Sequence, residues 1–186
     1  VARQQPDDAD WDTLDTRHAS IRWFSGADAG FARGPHHSDP RSGEILESHI
    51  QWYHNVMNLL RNWYLIQTAA INPNARMVDF DDKVMGELIR FVSSHEVGHT
   101  IGLPHNMKAS SSYPVDSMDY AGFDYVAQPG DGAGAMNPRI GVYDKSSISW
   151  GYRPIIGAKS PDEEKATLDQ WIKLHENDPM YRFGDP

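Results

Sequence analysis

One eleven-residue segment, from His95 to His105, constrains this chain more than any other feature. It reads HEVGHTIGLPH and so combines three histidines, one carboxylate and one glycine. On a helix, His95 and His99 lie four residues apart and share one face, one turn from each other. Both imidazoles can therefore reach a single metal ion, and Glu96 can act on a water bound to that ion without being a ligand.

The third histidine requires the helix to end before it, because continued helix would carry His105 to the opposite side. Gly102 tolerates the left-handed backbone that commonly ends a helix, and Pro104 prevents the helix from resuming. The chain can then turn back and present His105 to the ion held by His95 and His99. Three protein ligands leave one position open for water, which is typical of a catalytic Zn²⁺ site.

Composition excludes several classes of protein. A length of 186 residues with 39% hydrophobic residues indicates one folded domain. A formal net charge of −9 argues against nucleic acid as a partner and against attraction to an anionic membrane surface. No apolar run reaches the roughly 18 residues that a membrane-spanning helix needs. The chain has no cysteine, so a metal would be held by histidine and carboxylate groups.

The N-terminal part of the chain predicts two strands. Residues 19–24 are β-branched and aromatic in character, which is typical of a strand. A second strand is predicted over residues 44–52, after a turn at residues 39–43 whose proline and glycine suit a tight turn. Residues 25–35, between the two strands, are predicted to be a glycine-rich loop.

Helices are predicted over much of the remaining chain. The spacing of apolar residues predicts helices at 54–71, from Asp81 or Asp82 to about Leu103, at 143–150 and at 160–176. Residues 106–141 are rich in glycine and proline, and loops are expected there. Ser160 followed by Glu163 resembles a capping box at the start of the last helix.

The spacing HExxHxxGxxH is the motif of the metzincin clan of zinc endopeptidases. The segment Ser117-Met118-Asp119-Tyr120 resembles the Met-turn of that clan, a tight turn whose methionine lies beneath the three imidazoles. In several metzincin families a tyrosine two residues after this methionine approaches the metal, and Tyr120 occupies that place. The resemblance thus implies that Met118 supports the metal site.

More closely, the chain resembles the large bacterial zinc-dependent metalloproteases that carry domains of unknown function around a metzincin core. This resemblance spans roughly residues 17–186. The segments that carry it are 39–45, 85–92, 105–106, 113–116, 118–120, 125–129 and 151–153. Twelve residues, 106–117, separate His105 from Met118, fewer than we expect in this family.

The resemblance implies an α/β (α+β) fold of the metzincin-like (zincin) type. We expect a small mixed sheet packed on the active-site helix, and a loop-rich lower subdomain with a C-terminal helix. The chain would be a single domain over residues 1–186 and a fragment of a longer protein. We expect an upper part at 1–102, a lower part at 103–186 and a cleft between them. A further helix and strand of the sheet would lie before Val1.

Together the motif and the resemblance predict a zinc-dependent endopeptidase that acts on a peptide or protein. Glu96 would take a proton from the attacking water and pass it to the leaving amine, as general base and then acid. Tyr120 would stabilise the developing oxyanion. An extended substrate could pair with the strand at 44–52. Other domains of the same longer chain are expected partners, and export from a bacterium to the periplasm, cell surface or exterior is expected.

Two other functions fit the same residues. One is a zinc-containing module that binds peptides or glycans without turnover, and the other is a metal-dependent hydrolase of non-peptide substrates. The remaining histidines singled out, which lack paired spacing and are predicted to be surface or core residues, are His36, His37, His49 and His54. The glycine-rich residues 129–134 match neither an EF-hand nor a P-loop and are predicted to be an ordinary loop.

Overall fold

The structure is a computed structural model. It describes residues 3–26, 29–112, 116–120, 125–128, 132–136 and 140–185, and for 125–128 and 132–136 it describes the backbone. Two segments that take part in the sequence predictions, 113–115 and 129–131, lie outside the described residues.

Strands and helices alternate irregularly along the chain. The strands are β1 (Ser20–Phe24), β2 (Ala32–Arg33), β3 (His36–Ser38), β4 (Ile45–Tyr53), β5 (Tyr125–Gln128) and β6 (Gly132–Met136). The helices are α1 (Val56–Thr68), α2 (Asp82–Thr100), α3 (Val142–Tyr152) and α4 (Pro161–His175). Short 3-10 helices lie at Pro73–Arg76, Met107–Ser111 and Pro179–Tyr181. The predicted α/β (α+β) class, with a small mixed sheet and four helices, is confirmed.

The mixed sheet is built around β4. β1 lies parallel to β4, with Ser20 opposite His49 and Phe24 opposite Tyr53, whereas β2 and β3 pair with β4 in the antiparallel direction. The predicted turn joins β3 to β4, and its Gly43 has a φ of 76°. β1 covers residues 49–53 of β4, whereas residues 45–48 pair with β3 alone among the described residues. The expectation that a substrate pairs with this strand therefore stays a prediction.

Two loop predictions were wrong in part. The predicted loop at 25–35 contains the two-residue strand β2, which is too short to show a period of two in the sequence. The predicted loops at 106–141 contain the antiparallel hairpin of β5 and β6. The sequence of β6 is GAGAM, and its glycines and alanines lack the β-branched and aromatic character that marks a strand.

The core lies between β4, α1 and α2. Its members are largely apolar side chains of these three elements: Trp52, Val56, Leu60, Tyr64, Ala75, Leu88, Phe91 and Val92. α2 is capped at its N-terminus by Asp81, whose carboxylate accepts from the N–H groups of Lys83 and Val84 at 2.7 and 3.2 Å. Among the described residues, no helix has the length and apolar character needed to cross a lipid bilayer.

α4 shows half of the predicted capping box. The hydroxyl of Ser160 accepts from the N–H of Glu163 at 3.3 Å. The Glu163 carboxylate accepts instead from the N–H of Lys159 at 2.8 Å, one residue before the N-cap. The predicted residues therefore do accept hydrogen bonds from backbone N–H groups at the start of the helix. The bond made by Glu163 goes to the residue before the N-cap instead of to the N-cap itself.

Two buried aspartates join α3 to the segment that precedes Met118. Asp144, in the first turn of α3, accepts from the N–H groups of Ser117 and Gly141 at 2.6 and 3.1 Å. Asp116 in return accepts from the N–H groups of Tyr143 and Asp144. Each carboxyl group thus accepts at least one backbone hydrogen bond from the other residue's segment.

Asp116 gives the stability of the protein a specific dependence on pH. Burial, with a further contribution from nearby Asp144, raises the pKa of Asp116 to about 7. In the unfolded chain this carboxyl ionises near pH 4. Between about pH 4 and pH 7 the folded state therefore binds the extra proton, and this group makes folding less favourable as the pH rises.

We therefore expect Asp116→Asn to gain stability relative to the wild type as the pH rises from 4 to 8. The gain is at most about 1.4 kcal/mol per pH unit, because the amide has no proton to lose. Urea unfolding of both proteins at several pH values measures it. Differences in unfolding free energy that stay constant over this range would contradict the burial of a protonated carboxyl.

Candidate metal centre

α2 positions two of the three predicted metal ligands. His95 and His99 lie near its C-terminal end, with ring centroids 4.7 Å apart and ring planes at 89°. Toward its N-terminus the same helix is anchored in the core by the buried side chains of Leu88 and Phe91. A side chain on a helix that is fixed by packing is held in few positions, which suits a metal ligand.

The helix ends at Gly102 in a Schellman motif. Gly102 has a φ of 92° and donates its N–H to the carbonyl of His99 at 3.0 Å. The N–H of Leu103 donates to the carbonyl of Gly98 at 3.0 Å. The carbonyl of Leu103 accepts in turn from Nδ1 of His99 at 2.8 Å. The turn that returns the chain toward His105 therefore also orients the second histidine.

The three imidazoles converge through their Nε2 atoms. Nε2 of His99 lies 3.1 Å from Nε2 of His95 and 3.0 Å from Nε2 of His105. Among the described residues, these three form the group of histidine and acidic side chains whose arrangement can hold a metal ion. Two nitrogen ligands of tetrahedral Zn²⁺, each bound at about 2.0–2.1 Å, lie about 3.3 Å apart, so the observed spacing fits zinc.

The hydrogen bonds of the Nδ1 atoms show which nitrogen of the His95 and His99 rings carries the proton. Nδ1 of His95 lies 2.7 Å from the carbonyl oxygen of Ser117, and Nδ1 of His99 contacts the carbonyl of Leu103. A carbonyl only accepts, so each Nδ1 must carry the proton. Burial lowers the pKa of His95 to about 4, and burial also lowers the pKa of His99.

Both rings are therefore neutral near pH 7, and each Nε2 presents a lone pair to the other. Two lone pairs about 3 Å apart repel each other, and a cation between them turns that repulsion into attraction. The donor set of His95, His99 and His105 thus fits a zinc ion better than it fits a hydrogen-bonded cluster.

Glu96 lies beside this centre with one oxygen unused. The residue is only 5% exposed, and its carboxyl accepts from the N–H of Gly34, in the link between β2 and β3. A side chain at Gly34 would overlap the backbone of Glu96, so the link packs directly on α2. Among the described residues, buried Oε2 of Glu96 has no hydrogen-bond partner. Burial raises the pKa of this carboxyl to about 7, which suits proton transfer at neutral pH.

The predicted Met-turn packs against the helix that carries His95 and His99. Met118 is 2% exposed, and a side chain at Gly98 of α2 would overlap its sulfur atom. The carbonyl of Ser117 accepts from Nδ1 of His95. The segment therefore contacts α2 twice, through the methionine side chain and through one backbone carbonyl.

Asn106, which directly follows His105, ties this turn to the C-terminal end of the described chain. It is fully buried, and its N–H donates to the carbonyl of Met118 at 2.9 Å. Its side-chain amide donates to the carbonyl of Arg182, and its Oδ1 accepts from the N–H of Gly184, each at 3.1 Å. The position of the third histidine thus depends on residues far away in sequence.

Tyr120 stands beside the imidazoles. Its ring centroid lies 4.7 Å from that of His105 and 5.6 Å from that of His95, and 56% of the residue is exposed. Burial of the phenol, with a further contribution from Glu96, raises the pKa of Tyr120 above its usual value. The hydroxyl therefore keeps its proton at neutral pH and can donate a hydrogen bond.

The other histidines singled out from the sequence lie in the sheet or directly after it. His37 pairs with Glu47 at 2.9 Å, and Nδ1 of His49 contacts the hydroxyl of Ser20 at 3.0 Å. His54 meets the ring of Trp23 edge-on, with centroids 5.5 Å apart.

His36 is the exception, because it contacts the metal centre. Its Nδ1 donates to the carbonyl of His99 at 2.7 Å, so β3 is fastened to the end of α2.

Three contributors to the site were not identified from the sequence. Gly98 occupies an unspecified position of the motif, and only its contact with Met118 reveals its role. Asn106 had a usable signal, its place directly after the third histidine. Asp144 had none, because an acidic residue at a helix start is explained equally well by the helix dipole.

The contact between Gly98 and Met118 can be tested with two glycines of the same helix. We expect Gly98→Ala to destabilise the zinc-free protein by about 1–3 kcal/mol, because the added methyl group overpacks the turn. Gly86→Ala is the control, since a side chain there meets nothing within 4 Å. It should stabilise the protein by up to about 1 kcal/mol, because alanine favours helix. Equal urea midpoints for the two variants would contradict the packing.

Comparison with known proteins agrees with this geometry. A family model described as Met-zincin matches residues 77–186, more than half of the chain. No curated protein and no solved structure matches the chain. The matched residues contain the three histidines, Glu96 and the predicted Met-turn, and proteins of this family bind zinc. The prediction from the motif is confirmed: the chain belongs to the Met-zincin family, in the metzincin clan of zinc metalloproteases.

Proposed function

We propose that this protein is a zinc-dependent endopeptidase in which His95, His99 and His105 hold the metal and Glu96 is the general base. One observation carries the proposal. Three Nε2 atoms converge beside a buried carboxyl group that has one oxygen without a hydrogen-bond partner among the described residues. Two of these Nε2 atoms carry no proton, because the Nδ1 atom of the same ring donates to a backbone carbonyl. A purely structural zinc site needs ligands, but it does not need a carboxyl of raised pKa that faces no partner.

The chemistry divides between the metal and the protein. Bound Zn²⁺ would acidify a water molecule and polarise the scissile carbonyl. Oε2 of Glu96 would accept the proton of that water, and the same carboxyl would then deliver it to the nitrogen of the leaving amine. The N–H of Gly34 holds the Glu96 carboxyl throughout, so only the unused oxygen needs to exchange protons.

Tyr120 would act on the carbonyl group of the substrate. Its phenol retains its proton, and its ring lies against His105. A rotation of the exposed side chain would let the hydroxyl donate to the carbonyl oxygen as negative charge develops there. This role is independent of the metal ligands, so it can be tested separately.

An extended substrate could also pair with a second edge of the sheet, besides the strand at 44–52 expected from the sequence. β2 and β3 each pair with β4 along one edge. The link between them carries Gly34 beside Glu96, and His36 of β3 contacts α2. A peptide paired with the outer edge of this segment would pass over the carboxyl, in the cleft between the proposed parts at 1–102 and 103–186.

A groove of about 1470 Å³ supports a peptide rather than a small substrate. It lies between the turn that joins β3 to β4, the loop after α2, and the C-terminal helices, and its aromatic walls include Trp150, Tyr152 and Trp171. The three histidines do not line it. It would therefore hold apolar substrate residues at some distance from the bond that is cut.

Glu96→Gln tests the mechanism. This change removes the base but no ligand, so we expect zinc content to stay at the wild-type level while peptide cleavage falls by at least about 100-fold. A mixed peptide library digested by each zinc-loaded protein, with products identified by mass spectrometry, measures this. Glu87→Gln is the matched control, since Glu87 lies on the same helix and pairs with Arg90.

Each outcome of that digestion is informative. Near-normal cleavage by Glu96→Gln would refute the assignment of the base. No cleavage by the wild type, with one zinc bound per chain, would favour a module that binds peptides or glycans without turnover. Activity on esters or other non-peptide substrates alone would favour the second alternative.

Tyr120→Phe tests the oxyanion role. We expect kcat to fall by about 100-fold, with little change in KM or zinc content, because the lost hydrogen bond forms only as charge develops. Tyr53→Phe, at a tyrosine that packs on Phe24 and Phe31, is the control and should cleave normally. A fall in zinc content of Tyr120→Phe would show instead that the phenol helps to hold the metal.

A further inference from the structure

A single residue, Ser117, connects the first zinc ligand to a carboxyl group on another helix. The carbonyl of Ser117 accepts from Nδ1 of His95 at 2.7 Å. The N–H of Ser117 donates to Oδ2 of Asp144 at 2.6 Å. Asp144 is 2% exposed and lies in the first turn of α3. A buried carboxyl therefore reaches the imidazole of His95 through one residue of backbone.

The next peptide group strengthens this connection. The pKa of Asp144 is raised by burial, and the backbone N–H groups of Ser117, Gly141 and Met118 oppose that rise. The N–H of Met118 and the carbonyl of Ser117 belong to the same peptide unit. That unit therefore faces Asp144 with its donor end and His95 with its acceptor end, and a negative charge at the donor end makes the carbonyl a better acceptor.

Asp116 provides a natural comparison. It is buried to a similar degree and belongs to the same pair of carboxyls, but it accepts from the N–H groups of Tyr143 and Asp144 at the start of α3. It therefore holds the helix rather than the backbone that touches His95. A role in stability alone would be shared by both aspartates, whereas a role toward the metal would belong to Asp144.

We propose that Asp144 is a positioning residue for zinc, which acts through the Ser117–Met118 backbone to hold His95 with its proton on Nδ1 and its Nε2 lone pair toward the metal. Metal-bound histidines commonly donate their second N–H to a carboxylate or a carbonyl, which fixes the tautomer and raises the basicity of the ring. Here one carbonyl provides the contact, and a carboxyl behind it provides the charge.

The proposal rests on the zinc site but not on peptide cleavage, so zinc affinity is the direct test. We expect Asp144→Asn to weaken zinc binding by about 10- to 100-fold in competition with a chelator, as is typical when a partner of a ligand is lost. Asp116→Asn should bind zinc like the wild type. Circular dichroism at the assay temperature verifies that the variants are folded.

The absorption spectra of the Co²⁺-substituted proteins report on the metal ligands and do not change when only the stability of the fold changes. The visible absorption bands of Co²⁺ should change in Asp144→Asn and match the wild type in Asp116→Asn. Wild-type zinc affinity and an unchanged cobalt spectrum in folded Asp144→Asn would overturn the proposal. An equal loss of affinity in both variants would also overturn it, because the effect would then be general destabilisation.

A measurement on the unsubstituted protein keeps the proposal testable if Asp144→Asn does not fold. Zinc at His95 polarises the Nδ1–H group, so zinc loading should shift the amide signals of Ser117 and Met118 and the carboxyl ¹³C signal of Asp144 in NMR spectra. The carboxyl signal of Asp116 should move less. Equal shifts for the two carboxyls would overturn the proposal. Absence of zinc binding in the wild type would refute the metal site itself, a separate failure.

Discussion

The repulsion between the Nε2 lone pairs of neutral imidazoles is the constraint around which the rest of the structure is arranged. His95 and His99 cannot turn their rings away, because each Nδ1 is committed to a backbone carbonyl. Burial keeps both rings neutral, so protonation does not relieve the repulsion near pH 7. The fold therefore maintains a geometry that is unfavourable without a cation and favourable with one, as preorganised metal sites do.

Backbone groups carry out much of this preorganisation. The carbonyls of Ser117 and Leu103 fix two ligands, and the N–H of Gly34 fixes one oxygen of Glu96. A backbone group has fewer ways to rotate than a side chain, so its direction is set by the segment to which it belongs. The ends of secondary-structure elements, rather than additional polar side chains, thus determine where protons and lone pairs lie.

The sequence predicted the parts of the site that are local and missed those that are not. The helix bearing His95 and Glu96 and the turn at Gly102 follow from spacing and from single-residue conformational preferences, so they were readable directly. Asp144 contacts Ser117 only because α3 packs against the segment that holds Ser117. The two residues are 27 positions apart in sequence, and no short motif encodes a contact over that separation. Likewise, the central place of β4 in the sheet depends on β1 and β2, which pair with it on opposite sides.

The buried side chain of Asn106 has a consequence for how the site is assembled. Its hydrogen bonds join positions 76 and 78 residues apart, and closing such a loop costs entropy that only the finished contacts return. Contacts of long sequence separation form slowly in folding chains. The two helical histidines can therefore take their places early, whereas the surroundings of His105 are completed only when the residues near Gly184 have been synthesised and have docked.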